Sequence, residues 1–217
     1  MLLPEDERKQ VLSILSEVYV GAKPALNFSS PYELLIATML SAQCTDKQVN
    51  KTTAVLFQRA NTPEEMLTLS YEELCGYVKS CGFYRMKAQH ILEASRILVD
   101  SFGGRVPEDR DALQMLPGVG RKTANVVVSN AFSIPAIAVD THVFRVANRI
   151  GLTEARTVEK TEEQLMAHIP KEIWGDAHHY LIYHGRQICS ARNPKCESCP
   201  LGALCDANKN KEFTQKG

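Results

Sequence analysis

The apolar positions of this chain recur at three- and four-residue intervals over most of its length, and the polar breaks between them carry helix-start chemistry. Val11, Leu12, Ile14, Leu15, Val18 and Tyr19 fall at helical spacing and predict an amphipathic helix over residues 5–19. Residues 23–29 read as a loop. At Ser30-Pro31-Tyr32-Glu33 an N-cap serine, a proline at the first helical position and a glutamate closing a capping box predict the next helix. Its body, residues 34–40, is apolar on nearly all sides, as a central buried helix must be. The same start signal returns at Thr45-Asp46-Lys47-Gln48, Thr62-Pro63-Glu64-Glu65 and Ser70-Tyr71-Glu72-Glu73. Gly82 ends the last of these, and residues 87–100 supply a further helix with Ile91, Leu92, Ala94, Ser95 and Leu98 on or near its inner face.

Residues 107–115 read as helical, Pro117-Gly118 stops them, and Gly120 lets the chain turn into a second helix beginning near Arg121. This is a helix-hairpin-helix, spanning about residues 108–132. Val126-Val127-Val128 lacks the alternation of a strand and belongs to the second helix. Residues 133–139 are expected to be extended and to cross from one layer to another. Asp140 stands where an N-cap should be, with residues 141–150 as its helix. Thr157 caps a further helix to about His168, and residues 173–188 make the last long one. With no internal repeat, low-complexity tract or alternating strand pattern, the fold class is all-α.

Composition changes this picture little; charge narrows it. At 217 residues and 44% hydrophobic content the chain supports one large domain or two small ones and is not disordered. The formal charge is zero, with 14 basic and 15 acidic groups up to Pro135 and 11 and 10 after it. No broad basic footprint is available, so any contact with DNA must be local. There is no export signal and no run approaching ~18 apolar residues, which places the protein in the cytoplasm, a nucleoid or a nucleus.

The hairpin offers such a local contact. Arg121 and Lys122 open a helix at the end where the dipole disfavours cations by roughly 0.3–1 kcal/mol each, so an anion is expected there. Backbone amides, Gly118 and Gly120 make a credible phosphate site, and Lys122 is a candidate nucleophile. Lys122 as a phosphate contact alone is the plainer alternative.

Of seven cysteines, four lie within seventeen residues: Cys189, Cys196, Cys199 and Cys205, separated by six, two and five positions. An odd total without a secretion signal argues against a disulfide framework. Zinc sites with four cysteines usually bring two short knuckles, and this segment has one, so a [4Fe-4S] cluster is the better reading and zinc the alternative. Arg192 and Lys195 lie in this loop with no acid between Cys189 and Cys196; they are read as cations held toward phosphates, against the alternative of a solvated loop. Cys44, Cys75 and Cys81 sit in apolar stretches and read as core thiols.

The hairpin over residues 116–124, Val139-Asp140-Thr141-His142-Val143 and the six-two-five cysteine spacing together resemble the endonuclease III family of the helix-hairpin-helix superfamily, over roughly residues 30–205. The resemblance implies a base excision repair enzyme acting as a monomer on double-stranded DNA that contains damaged pyrimidines or abasic sites. It implies two helical domains with the DNA groove between them: residues 24–134 with the hairpin, and residues 1–23 plus 135–217 with the cluster.

Lys122 and Asp140, eighteen residues apart, match the family's catalytic lysine and aspartate. A lysine at a helix N-terminus beside Arg121 and partly desolvated should have a depressed pKa, which favours attack on the sugar of a flipped nucleotide. Asp140 is expected to stabilise positive charge, unless it is only an N-cap. Gln43 matches the family's gap-filling glutamine, and Phe83 stands where relatives often carry an aliphatic wedge, with core packing as its alternative. Gly118, Val119, Gly120 and Arg121 are carried as phosphate contacts, and Thr123, Asn125 and His142 as pocket or support residues. Two other functions stay open: a mismatch adenine glycosylase, disfavoured by Lys122 and by the chain's end at Gly217, and a non-catalytic DNA-binding module.

Overall fold

The computed structural model describes residues 1–210, and every regular element among them is helical. In chain order these are α1 (Glu5–Val18), α2 (Pro31–Ser41), α3 (Asp46–Arg59), α4 (Pro63–Met66), α5 (Tyr71–Val78), α6 (Tyr84–Phe102), α7 (Arg110–Gln114), α8 (Arg121–Phe132), α9 (Thr141–Ile150), α10 (Val158–His168), α11 (Trp174–Gln187) and α12 (Asp206–Lys209), with short 3-10 turns at Lys171–Ile173 and Cys196–Ser198. The chain divides into two compact units, one of Pro24–Ile134 and one of Met1–Lys23 with the chain from Pro135 onward. The expected end of the second unit at residue 217 lies outside the described residues. No described helix is long and apolar enough to cross a membrane.

The unit Pro24–Ile134 is built on α2, whose residues from Tyr32 to Leu40 are all buried. Leu34, Leu35, Ile36 and Leu40 are wholly inaccessible, and each such side chain contributes about 1.5–3 kcal/mol by leaving water. α8 packs along α2 and α7, while α6 packs on α4 and α5. Of the four expected capping boxes, Ser70 forms the reciprocal one: its hydroxyl accepts from Glu73 N at 3.2 Å and Glu73 Oε2 accepts from Ser70 N at 2.7 Å. At Ser30 the hydroxyl caps as expected, but Glu33 Oε2 accepts from the backbone and hydroxyl of Ser29, at 2.6 and 2.7 Å, one residue early. Glu65 likewise reaches Asn61 N, and Gln48 turns its amide to Ser80 and Thr52 instead of to Thr45.

Two helix boundaries differ from expectation. α6 begins at Tyr84 and not at residue 87, because Phe83 adopts a left-handed conformation (φ 57°) that turns the chain straight into the helix. α7 contracts to Arg110–Gln114, because Asp109 caps it by accepting from Ala112 N at 2.8 Å and leaves Pro107 and Glu108 outside.

In the other unit α11 packs against both α1 and α9, and α12 closes on α9. The core joins Val11 and Leu15 of α1 to Val143 and Val146 of α9, Leu165 of α10 and Leu181 of α11. Leu3 N donates to Gly151 O at 2.8 Å, and Lys209 pairs with Glu7 at 2.7 Å.

Candidate functional site

The hairpin is a tight turn between α7 and α8. Leu116 N donates to Leu113 O and Val119 N to Leu116 O, both at 3.1 Å, while the Leu116 and Val119 side chains are buried. The special conformation belongs to Gly118, at φ 77°, where a β-carbon would stand 2.8 Å from His90 Nδ1. Gly120, expected to be the freer hinge, has φ −88° and ψ 176°, open to any residue. Its distinction is space: a β-carbon there would meet nothing within 4 Å. As N-cap of α8 it supplies no side-chain acceptor, and the first turn holds no acid. The leading amides of α8 and the dipole behind them therefore favour an anion.

Arg121 and Lys122 are exposed and Thr123 is half-buried. The expected partial desolvation of Lys122 is absent, because its place in the first turn of α8 turns the side chain to solvent. Only a bound partner can dry it.

Asp140 is the N-cap of α9. Its Oδ1 accepts from His142 N and Val143 N, both at 2.8 Å, and no bond to Oδ2 occurs among the described residues. One oxygen is thus committed to the helix while the other is available to a reactant. His142 is half-buried, and its Nδ1 lies 3.1 Å from an Arg145 nitrogen.

Gln43 and Phe83 are both exposed, Phe83 at 61%, so core packing is not the role of Phe83. Both adopt left-handed backbone, φ 51° and 57°, which costs a residue other than glycine about 1–2 kcal/mol. Their turns lie side by side: a β-carbon on Gly82 would stand 3.4 Å from Gln43 O. Such strain is retained where the surroundings over-determine it, which happens most at functional sites. Among the three remaining cysteines, Cys81 is a core thiol, whereas Cys44 and Cys75 are only half-buried because they sit at a helix exit and on the outer side of α5.

The segment after α11 wraps upon itself. Cys189 N donates to His184 O at 2.8 Å, Cys199 N to Cys196 O at 3.2 Å and Cys205 N to Leu201 O at 2.8 Å. The four free thiols of Cys189, Cys196, Cys199 and Cys205 line one small cavity with His184 and Arg149. Burial pushes the Cys196 and Cys199 thiols up and that of Cys205 to about 11. The thiols of Cys196, Cys199 and Cys205 therefore need positive charge to become thiolates, which iron would supply; the four-cysteine donor set fits an iron-sulfur cluster.

Sequence reasoning missed the supports of this loop. Arg145 donates to Cys189 O at 3.1 Å and Gly185 O at 2.9 Å. One turn on, Arg149 donates to Ser190 O at 2.7 Å, Ala191 O at 2.9 Å and Cys189 Sγ at 3.6 Å. Their i, i+4 spacing on α9 was the available signal. His184, pushed down to about 4 by burial, lies 3.0 Å from the Tyr19 hydroxyl and 3.6 Å from Cys199 Sγ. Arg192 and Lys195 are exposed in the loop.

Residues 36–171 match the HhH-GPD superfamily of base excision DNA repair proteins, and residues 189–205 match the iron-sulfur binding domain of endonuclease III. Endonuclease III of Escherichia coli (strain K12) is 52% identical over 200 residues, 92% of this chain and 95% of that protein. Endonuclease III of Bacillus subtilis (strain 168) is 48% identical over 202 residues, 93% and 92% of the two chains. A solved structure of a trapped endonuclease III–DNA covalent intermediate, in an estranged-adenine complex, superposes with a TM-score of 0.93 at 46% identity, covering 97% of this chain and 100% of that one. A thermostable thymine-DNA glycosylase follows the same fold at a TM-score of 0.84 and 27% identity, over 94% and 98%. This chain belongs to the endonuclease III family, DNA-binding base excision repair enzymes with glycosylase and abasic-site lyase activity and a [4Fe-4S] cluster.

Proposed function

We propose that this enzyme removes oxidised pyrimidines from double-stranded DNA and cuts the strand 3′ to the abasic site, with Lys122 as nucleophile. The observation that carries the reading is the place of Lys122: exposed in the first turn of α8, beside helix-opening amides with no side-chain cap. Gly118, Val119 and Gly120 offer backbone to a phosphate, and Arg121 adds a charge. DNA closing over Lys122 shields its amine from water.

That amine attacks C1′ of a nucleotide rotated out of the stack. The bond from Nζ to C1′ forms as the glycosidic bond breaks, and the base leaves with a proton. Opening of the sugar ring gives an imine between Lys122 and C1′. The imine acidifies the 2′ hydrogen, whose removal expels the 3′ phosphate, and water then releases the lysine. Asp140, through Oδ2, stabilises positive charge on the sugar and assists the proton transfers. Gln43 fills the vacated gap, Phe83 holds the stack open, and Thr123 and His142 support the pocket. Arg192 and Lys195 reach neighbouring phosphates, while Cys189, Cys196, Cys199 and Cys205 hold the cluster. The two units act as its working domains, in a monomer that meets its substrate in the cytoplasm, at the nucleoid.

Duplex DNA containing thymine glycol, incubated with the enzyme and borohydride, should yield a covalent complex that is absent with Lys122→Ala. Base release without trapping would assign a monofunctional glycosylase instead, and binding without chemistry a DNA-binding module.

A further inference from the structure

Lys87 is a buried cation that the reaction above does not use, 6% exposed in the first turn of α6, where the helix dipole opposes its charge. Its ammonium donates to Leu40 O at 2.8 Å and to Ala42 O at 2.7 Å. These carbonyls lie at the exit of α2, where Cys44 N turns back to Ser41 O at 3.1 Å and so leaves Leu40 O without its helical donor. The backbone N–H of Lys87 donates to Phe83 O at 3.1 Å. One residue therefore grips the chain immediately before Gln43 and the carbonyl of Phe83, the two exposed residues whose turns are left-handed and adjacent. Burial lowers the Lys87 ammonium from its ordinary value and the Cys81 and Cys44 thiols push it back up, so both turns also contribute to its electrostatic setting.

We propose that Lys87 is a positioning residue for the pair that enters DNA: it fixes the Gln43 turn against the Phe83 turn, so that amide and ring arrive together at the gap beside a flipped nucleotide. The inference rests on the gap-filling reading of Gln43. Without the ammonium, the buried Leu40 carbonyl and the Ala42 carbonyl lose their donor and the strained Gln43 backbone relaxes, which misplaces the side chain at its end.

Single-turnover excision from a thymine glycol duplex, measured for wild type, Q43A, K87M and the double variant, tests this. K87M is expected to slow excision by about 10- to 100-fold, the scale of a misplacement near 1 Å. The double variant should lie within about twofold of Q43A, because residues acting through one contact are not additive. K87Q, which retains an amide donor, should recover part of the loss. K87M at the wild-type rate, or losses that multiply in the double variant, would overturn the proposal and leave Lys87 a cap of α2. A normal rate for Q43A would instead sink the gap-filling reading, and this inference with it. If K87M does not fold, K87Q enters the same cycle with Q43A.

Discussion

Asp140 divides two tasks between two oxygens, and the division can be tested with substitutions at that single position. Asp140→Asn keeps an acceptor for the amides of His142 and Val143 but removes the charge. Its unfolding in urea should match wild type, while excision falls by roughly 10²–10⁴-fold, the range for a positioned acid or base. Asp140→Ala should show the same catalytic loss together with about 1 kcal/mol of lost cap. Wild-type excision by the asparagine variant would leave Asp140 only a cap. The cap was legible in sequence because an N-cap acts on amides two and three residues away. The free oxygen was not, since only coordinates show which oxygen the helix takes. Lys87 and His184 were illegible for a related reason: their side-chain partners lie between 15 and 165 positions away, and each looks locally like an ordinary helical residue; the spacing of Arg145 and Arg149 was visible, but not that it serves a loop 40 to 44 positions on.

Among the elements, the hairpin separates two needs that share one residue type. Gly118→Ala forces a left-handed alanine, costing about 1–2 kcal/mol before displacement of His90 is counted, and should weaken both folding and DNA binding. Gly120→Ala places a methyl group in open space and should lower stability by under about 1 kcal/mol, the difference between glycine and alanine at an N-cap. It should still weaken DNA binding in fluorescence anisotropy, since the methyl group occupies the approach to the leading amides of α8. Unchanged affinity in Gly120→Ala would rule out those amides as a phosphate anchor. Helix starts at Pro31, Asp46, Pro63, Tyr71, Arg121, Thr141 and Val158 were readable because glycine or N-cap chemistry marks them within a few residues. The early start of α6 was not, because it depends on Phe83 accepting a conformation that side chains usually avoid.

Across the whole molecule, the cluster loop and α9 are fastened by Arg145 and Arg149, so iron should stabilise more than the loop that holds it. Removing iron is expected to raise amide exchange in α9 and α11 while α2 and α8 keep the protection of their separate core; equal loss in both units would refute this coupling. Periodicity and capping announced eleven of the twelve described helices, all but the short α12, yet could not pair them, since contact between α1 and α11 joins the first helix to nearly the last. That pairing has a consequence for biosynthesis. α1 leaves the ribosome ahead of Pro24–Ile134, yet the surface that covers Val11 and Leu15 is translated more than a hundred residues later, after all of that unit. The newborn helix must wait with its apolar stripe uncovered while a complete unit is made behind it, and the four cluster cysteines follow only after that unit.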